Sequence, residues 1–179
     1  MKKLLATLLL FAATTSFAQV RSASLTASGL TCSMCSKAIY KALLNVPTVK
    51  DVAVDIEHSK YTITFKENST VAPDDIKKAV ENAGFSVASM QLTAAFSNTD
   101  VYNDAHVVID GSTYHFLNVE KQQLQGDHTI TIVDKNYLPA AKRKEYSKYT
   151  TMKCFETGMM EPCCAKNGGA SKRIYHVTM

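Results

Sequence analysis

Two cysteines separated by two residues are the most chemically suggestive pair in this chain. Cys32 and Cys35 belong to the segment 29–35, which reads GLTCSMC and lies between a short alternating segment and a helix-patterned one. The pattern predicts two thiols at a helix N-terminus, where the helix dipole favours the thiolate form. Thiolates select soft cations such as Cu(I) and Zn(II) over Mg(II) or Ca(II). The sequence therefore predicts a soft-metal site at Cys32 and Cys35.

The first residues of the chain have the features of a secretory signal peptide. Lys2 and Lys3 precede an apolar run over residues 4–13 and a small-x-small cleavage signal at residues 16–18. The apolar run is about half the roughly 20 residues needed to span a bilayer. We expect residues 1–18 to be removed and the protein to be exported, into a periplasm where the cell has two membranes, with no membrane-spanning segment left.

A second group of sulfur-bearing residues lies near the end of the chain. Cys154 is followed by Cys163 and Cys164, and three methionines accompany them: Met152, Met159 and Met160. These side chains predict a second soft-metal site at the three cysteines. In an exported protein a disulfide between Cys154 and one of the other two is an equally good interpretation. Five cysteines are an odd number, so at least one stays outside any internal disulfide.

Charge and composition argue against a nucleic-acid partner. The formal net charge is +4, and removal of Lys2 and Lys3 leaves +2. Such a small excess does not favour binding to nucleic acids or anionic membranes. The composition is that of an ordinary globular protein.

Residues 19–92 show the order βαββαβ. Alternating apolar residues predict strands near 25–27, 52–56, 61–65 and 88–92, and helical spacing predicts helices over 35–46 and 73–83. Pro73 suits the first position of the second helix, and Gly84 suits its end. This order is typical of the ferredoxin-like fold, in which two helices cover one face of a four-stranded antiparallel sheet. We predict an α+β fold with a ferredoxin-like N-terminal domain over residues 19–92.

The segment 29–35, this element order and the sequence AGF at residues 83–85 together resemble the heavy-metal-associated domain family. That family includes copper chaperones, metal-binding modules of copper ATPases and the periplasmic mercuric-ion binding protein. The resemblance implies that Cys32 and Cys35 hold the metal. It also implies a partner that is a metal-transporting membrane protein or another metal carrier. Leu30 is a departure, because the family usually has Met there, pointing into the core.

The predicted function is binding of Cu(I) or another soft ion by an exported protein that carries or sequesters it and is not an enzyme. Hg(II), Zn(II) and Cd(II) are alternatives to copper. A thiol-disulfide oxidoreductase is a second class, because it also uses a low-pKa cysteine at a helix N-terminus. The chain contains no tryptophan and no thioredoxin-like pattern around the pair, which disfavours that class. A structural or interaction module with an incidental metal site is a third class.

Residues 105–179 are predicted to form a smaller, mostly β domain after a linker over residues 93–104. Asp110-Gly111 lies between two alternating segments and predicts a hairpin. Further strands are predicted over 128–133, 150–155 and 172–177, with a helix over 139–149 before the last two. Three strands, a helix and two strands are typical of an OB-like small barrel.

The five histidines show no ligand spacing. They are His58, His106, His115, His128 and His176. We interpret them as ordinary surface or partly buried residues. His176, which is close in sequence to the cysteine-rich segment, is the one to examine in the structure.

Overall fold

The computed structural model describes residues 18–29, 33–161 and 172–179, which form eight strands and four α-helices. The strands are β1 (Gln19–Ser28), β2 (Val49–Asp55), β3 (Lys60–Phe65), β4 (Ser86–Val101), β5 (His106–Ile109), β6 (Ser112–Phe116), β7 (Gln122–Ile132) and β8 (Ile174–Thr178). The helices are α1 (Ser33–Leu44), α2 (Pro73–Asn82), α3 (Ala140–Tyr146) and α4 (Cys154–Thr157). All eight strands belong to one sheet, in the order β2-β3-β1-β4-β7-β8-β6-β5.

The first four strands have the predicted ferredoxin-like arrangement. β1 pairs antiparallel with both β3 and β4, and β2 pairs antiparallel with β3. α1 packs against α2 and β2, and α2 also packs against β4. The ferredoxin-like prediction is confirmed for this region.

The two long helices form where the apolar spacing predicts them. In α1 the residues Ser36, Ile39 and Leu43 are buried, so one stripe of the helix faces the core. α2 begins at Pro73, whose missing N–H leaves no helix hydrogen bond unmade at this position. Gly84 follows α2 with φ of +88°, a conformation that glycine adopts without steric cost. Within the described ranges, no helix is long and apolar enough to cross a membrane.

Strand β4 continues through the segment predicted as a linker. β4 pairs with β1 along its first part and with β7 along its second part. Leu92, Ala94 and Phe96 are buried and continue the alternation of the strand. The prediction of a linker over residues 93–104 is therefore wrong up to Val101. The segment consists mostly of small and polar residues, which do not indicate a strand. It forms one because it pairs with β7, which is distant in sequence.

The described C-terminal strands extend the N-terminal sheet and do not close an OB-like barrel of their own. β7 pairs antiparallel with β4, and β8 lies between β7 and β6, parallel to β6. One continuous core joins the two halves and includes Leu25, Met90, Leu124 and Tyr114. The expected OB-like barrel of residues 105–179 is wrong because the second half uses the open edge of β4 as its pairing partner.

The sheet also curls, so that the edge strand β5 meets the start of β1. Ile109, at the end of β5, forms a bridge with Ala18, just before β1. The Asp110 amide donates to the Ala18 carbonyl at 3.1 Å, and the Val20 amide donates to Asp110 Oδ2 at 3.0 Å. The start of the N-terminal half is thereby tied to the β5–β6 hairpin.

Two further predictions for the second half have opposite outcomes. The strand expected over residues 172–177 is confirmed as β8. The strand expected over residues 150–155 is wrong, because Cys154 and Phe155 begin the short helix α4. Gly158 then ends α4 with φ of +69°. Phe155 packs with Leu117 and Val133 in a small cluster separate from the main core. A short helix buries the Phe155 side chain there as well as a strand would.

The Asp110-Gly111 hairpin gives a first test of the fold. Both residues have positive φ, 48° and 74°, as a two-residue hairpin turn requires. A Cβ on Gly111 would meet nothing within 4 Å, so Gly111→Ala incurs only the conformational cost. We expect the free energy of unfolding to fall by about 1 kcal/mol, measured as a lower urea midpoint at unchanged slope. Gly111→Asn is the matched control and should cost less, because asparagine tolerates positive φ; equal losses would contradict the argument.

Candidate metal centres

Cys35 lies in the first turn of α1, as the sequence predicts. α1 begins at Ser33 and has 12 residues, so Cys35 is near the positive end of the helix dipole. The Cys35 side chain is half-buried, whereas the neighbouring Met34 is 80% exposed. Cys32, the other predicted ligand, lies outside the described residues. The described part of the pair is thus a thiol that is close to solvent and electrostatically favoured as a thiolate.

A buried tyrosine supports the first turn of α1. The Tyr61 hydroxyl, from β3, donates to the Ser36 carbonyl at 3.5 Å. Burial raises the pKa of Tyr61, the contact with Ser36 opposes that change, and negative charge on Cys35 raises the pKa further. Tyr61 therefore remains a neutral donor beneath the cysteine.

Gly29 and Phe85 lie at the same end of the sheet as this turn. Ser28 and Ser86, next to them in sequence, are paired between β1 and β4. Gly29 has φ of +85°, and a Cβ there would meet nothing within 4 Å, so its requirement is conformational. Phe85 is half-buried and packs against the main core.

Three histidines lie side by side on three neighbouring strands. His106 pairs with His115 between β5 and β6, and His115 pairs with His176 between β6 and β8. Side chains of directly paired residues project from the same face of a sheet. The ring centroids are 4.4 Å apart for the first pair and 5.1 Å for the second. The interpretation as surface or partly buried residues holds for His106, which is half-buried, and is wrong for His115 and His176, which are fully buried.

Cys154 brings a thiol to this row of histidines. Its Sγ lies 3.5 Å from His176 Nε2 and 3.8 Å from His115 Nδ1. All three residues are fully buried. Cys163 and Cys164, predicted as partners of Cys154, lie outside the described residues. The structure therefore brings Cys154 together with His176, which the sequence singled out, and with His115, which it did not.

A carboxylate holds the outer nitrogen of each buried ring. His115 Nε2 donates to Asp104 Oδ1 at 2.9 Å, and His176 Nδ1 donates to Asp134 Oδ1 at 2.6 Å. These tautomers are assigned from the carboxylate acceptors. Burial lowers the pKa of His115 to about 4, and the rings of His176 and His106 add to that effect. Near neutral pH His115 is therefore neutral, with its Nδ1 lone pair facing Cys154.

Arg173 joins this cluster to helix α2. Its Nη2 donates to Asp134 Oδ2 at 2.9 Å, and its Nε donates to Asp74 Oδ2 at 2.8 Å. The Tyr137 hydroxyl donates to the other oxygen of Asp74 at 2.7 Å. Asp74 is in the first turn of α2, so a polar network runs from the N-terminal half to the buried histidines.

The Asp74 carboxylate gives a pH-dependent prediction. Burial alone would raise its pKa, but the hydrogen bonds from Arg173 and Tyr137 outweigh burial and lower the pKa below its ordinary value. Its contribution is therefore complete above the unfolded-state pKa of about 3.9, and it is lost as the pH falls through the lower folded-state pKa. For Asp74→Asn we expect a loss of about 1–3 kcal/mol in the free energy of unfolding at pH 7.

Urea unfolding of the parent and the variant across the acid range measures this effect. The gap between the two proteins should close as the pH falls below about 4. Asp75→Asn is the matched control, because Asp75 is exposed in the same turn of α2 and the charge change is the same. A gap that stays constant with pH, or an equal loss in the control, would contradict the role given to Asp74.

Residues 24–86 match the family described as heavy-metal-associated domain. The chain thus carries a heavy-metal-associated domain over this segment, which includes Cys32, Cys35, α1 and α2. The resemblance predicted from the cysteine loop is confirmed.

Two curated relatives from Arabidopsis thaliana are copper-transporting ATPases by name. The copper-transporting ATPase RAN1 is 38% identical over 58 residues, which are 32% of this chain and 6% of the relative. The probable copper-transporting ATPase HMA5 is 32% identical over 66 residues, 37% of this chain and again 6% of the relative. The matched region therefore spans a small fraction of the length of either relative.

Solved structures with similar segments include a copper-binding domain from HMA7, a P-type ATPase. It is 34% identical, with a TM-score of 0.34, and the match covers 36% of this chain and 86% of that one. Oxidized MerP from Ralstonia metallidurans CH34 is 30% identical, with a TM-score of 0.34, over 38% of this chain and 96% of that one.

Proposed function

We propose that this protein is exported and binds a soft metal ion, with Cu(I) as the first choice, through the thiolates of Cys32 and Cys35. The observation that carries the proposal is the position of Cys35 in the first turn of α1, inside the segment 24–86 that matches the heavy-metal-associated domain. The names of the two ATPase relatives support copper as the ion. On this proposal the protein carries or sequesters the ion and is not an enzyme.

Transfer of the ion would proceed by ligand exchange. Two thiolates leave the coordination sphere of Cu(I) open, so a thiolate of the partner enters before one of the original sulfurs leaves. The half-buried Cys35 and the exposed Met34 next to it support access from solvent. The proposed partner is a metal-transporting membrane protein or another metal carrier.

Export rests on the signal-peptide features of residues 1–18. The first strand of the fold begins at Gln19, the residue expected to follow cleavage. An intact mass of the protein recovered from a periplasmic fraction tests this part of the proposal. A mass that retains residues 1–18, or recovery with the cytosol, would oppose it.

An anaerobic Cu(I) titration against a competing chelator tests the metal site. We expect the reduced parent to bind one tight equivalent that the Cys32→Ser/Cys35→Ser variant lacks, because neither serine supplies a soft donor. Cys163→Ser/Cys164→Ser is the matched control, with the same number of thiols removed, and should keep that equivalent. If Cys32→Ser/Cys35→Ser binds as the parent does, the proposal is wrong.

A redox assay separates the carrier from the thiol-disulfide oxidoreductase that the same pair of cysteines suggests. On the carrier proposal, the oxidised protein should not turn over a disulfide substrate with a reductant. Turnover that depends on Cys32 and Cys35 would favour the oxidoreductase.

A further inference from the structure

We propose a second metal site, formed by Cys154, His115 and His176, that takes a d-block cation such as Zn(II) or copper. It is separate from the Cys32 and Cys35 pair, and its ligands come from α4, β6 and β8. Thiolate and imidazole together suit zinc and copper better than Mg(II) or Ca(II).

The distances from the Cys154 sulfur to the two histidine nitrogens fit one shared ion. Zinc bonds of about 2.3 Å to sulfur and about 2.0–2.1 Å to nitrogen place the two atoms about 3.5 Å apart at a tetrahedral angle and about 3.8 Å apart at a trigonal angle. The Cys154 sulfur is 3.5 Å from His176 Nε2 and 3.8 Å from His115 Nδ1. Both sulfur–nitrogen distances therefore suit ligands of one ion.

The number of protons available also favours a cation. In the neutral form of each ring the N–H goes to a carboxylate, which leaves His115 Nδ1 and His176 Nε2 with lone pairs that face Cys154. A thiol has one proton and can donate to one of these nitrogens, and a thiolate has none. A metal ion accepts electron pairs from the sulfur and from both nitrogens at once.

The two carboxylates add the support that metal-binding histidines usually have. Asp104 and Asp134 fix the tautomer and the orientation of their rings, as outer-shell carboxylates do in metal sites. Asp134 is itself held by Arg173 at 2.9 Å. The ligands are thus held in place before an ion arrives.

His106 lies at the edge of this set. One ligand atom from each of His106, His115 and Cys154 lies within 4.8 Å of the others. The His106 and His115 rings are stacked 4.4 Å apart with planes only 12° apart, so their lone pairs lie in separate, nearly parallel planes and do not converge on one ion. His106 would have to turn to become a fourth ligand. His106 is half-buried and the Asp104 side chain is 37% exposed, so the edge of the cluster reaches solvent.

The alternative use of these groups is a nucleophilic cysteine with His176 as base and Asp134 as its partner. Cys154 is fully buried, which leaves a substrate no approach, whereas an ion needs only to pass the edge of the cluster. A nucleophile also has no use for the second imidazole, His115, at the same sulfur. These two observations favour the metal site.

Co(II) titration of a single-thiol protein tests the proposal. The variant Cys32→Ser/Cys35→Ser/Cys163→Ser/Cys164→Ser keeps Cys154 as its sole thiol, so a sulfur-to-cobalt charge-transfer band can come from that residue alone. We expect one equivalent of Co(II), with this band, and its displacement by one equivalent of Zn(II). Absence of the band in this folded protein would overturn the proposal, whatever further variants do.

Further substitutions in the same protein assign the ligands. Cys154→Ser should abolish the charge-transfer band, and His176→Gln should weaken binding at least tenfold. His58→Gln is the matched control, because His58 is exposed in the turn between β2 and β3 and should leave binding unchanged. Circular dichroism of each variant confirms folding. Binding that survives in folded Cys154→Ser would overturn the assignment.

Discussion

Replacing Asp134 with alanine should reduce the free energy of unfolding by about 3–5 kcal/mol. The Asp134 side chain is 4% exposed, and its two oxygens accept from Arg173 at 2.9 Å and from His176 at 2.6 Å. Removing the carboxylate leaves the half-buried Arg173 guanidinium with one fewer anion and the buried His176 Nδ1–H without its acceptor. Breaking a buried pair from one side incurs this cost because the remaining polar groups stay desolvated.

Urea unfolding at neutral pH measures the Asp134 effect, with Asp127→Ala as the control. Asp127 also pairs with an arginine, Arg21, at 3.2 Å, but both side chains are about half exposed or more. Exposed pairs contribute about 0–1 kcal/mol, so Asp127→Ala should be nearly silent. Losses of similar size in the two variants would contradict the importance given to burial.

The milder substitution Asp134→Asn links this network to the second metal site. Outer-shell partners of metal-binding histidines typically contribute about 10–100-fold to affinity. In the single-thiol protein we expect Asp134→Asn to weaken Co(II) binding by that factor. In the protein that keeps Cys32 and Cys35, the same substitution should leave the Cu(I) equivalent of that pair unchanged. The two sites should therefore respond separately to the same substitution.

The N-terminal half could be predicted from the sequence because its signals are local. Alternation over β1, β2 and β3, helical spacing in α1 and α2, and Pro73 and Gly84 at the ends of α2 each depend on a few neighbouring residues. The spacing of Cys32 and Cys35 adds a motif that is typical of a soft-metal site. These signals agree with one another, so the fold follows from them.

The second half could not be predicted in the same way because its pairings join distant parts of the chain. β4 has an edge that β7 covers, and β8 inserts between β7 and β6 from more than forty residues beyond β7. Residues 93–104 contain no local signal that they pair with β7. Strand propensity depends on such partners, so in the sequence alone this segment of small and polar residues is typical of a linker.

One of the two histidine pairs can be predicted from the sequence, and the other cannot. The Asp110-Gly111 hairpin, once predicted, places residue 106 opposite residue 115, so the first histidine pair follows from the register. His176 joins them through a parallel pairing of β6 with β8, which sequence spacing does not reveal. Cys154 arrives on a helix where a strand was expected, and its role depends on that placement.

The shared strand β4 leads to the second large expected effect. Phe96 is 3% exposed, lies on β4 between β1 and β7, and packs edge-on against His128 at a centroid distance of 6.0 Å. Phe96→Ala should lower the free energy of unfolding by about 3–5 kcal/mol, as for other large aromatic residues removed from a core. Gln91→Ala, at an exposed position on the same strand, is the control and should change it by less than about 0.5 kcal/mol.

Native-state hydrogen exchange then shows whether the two halves unfold together. Because one core runs through both halves, the amides of β3 and β8 should open with the same free energy in the parent and lose it equally in Phe96→Ala. Two independent domains joined near residues 93–104 would behave differently, since β3 would keep its protection while β8 lost it. Phe96 lies on β4, the strand that pairs with both halves. The exchange pattern thus decides between a single cooperative unit and the domain boundary that the sequence predicts.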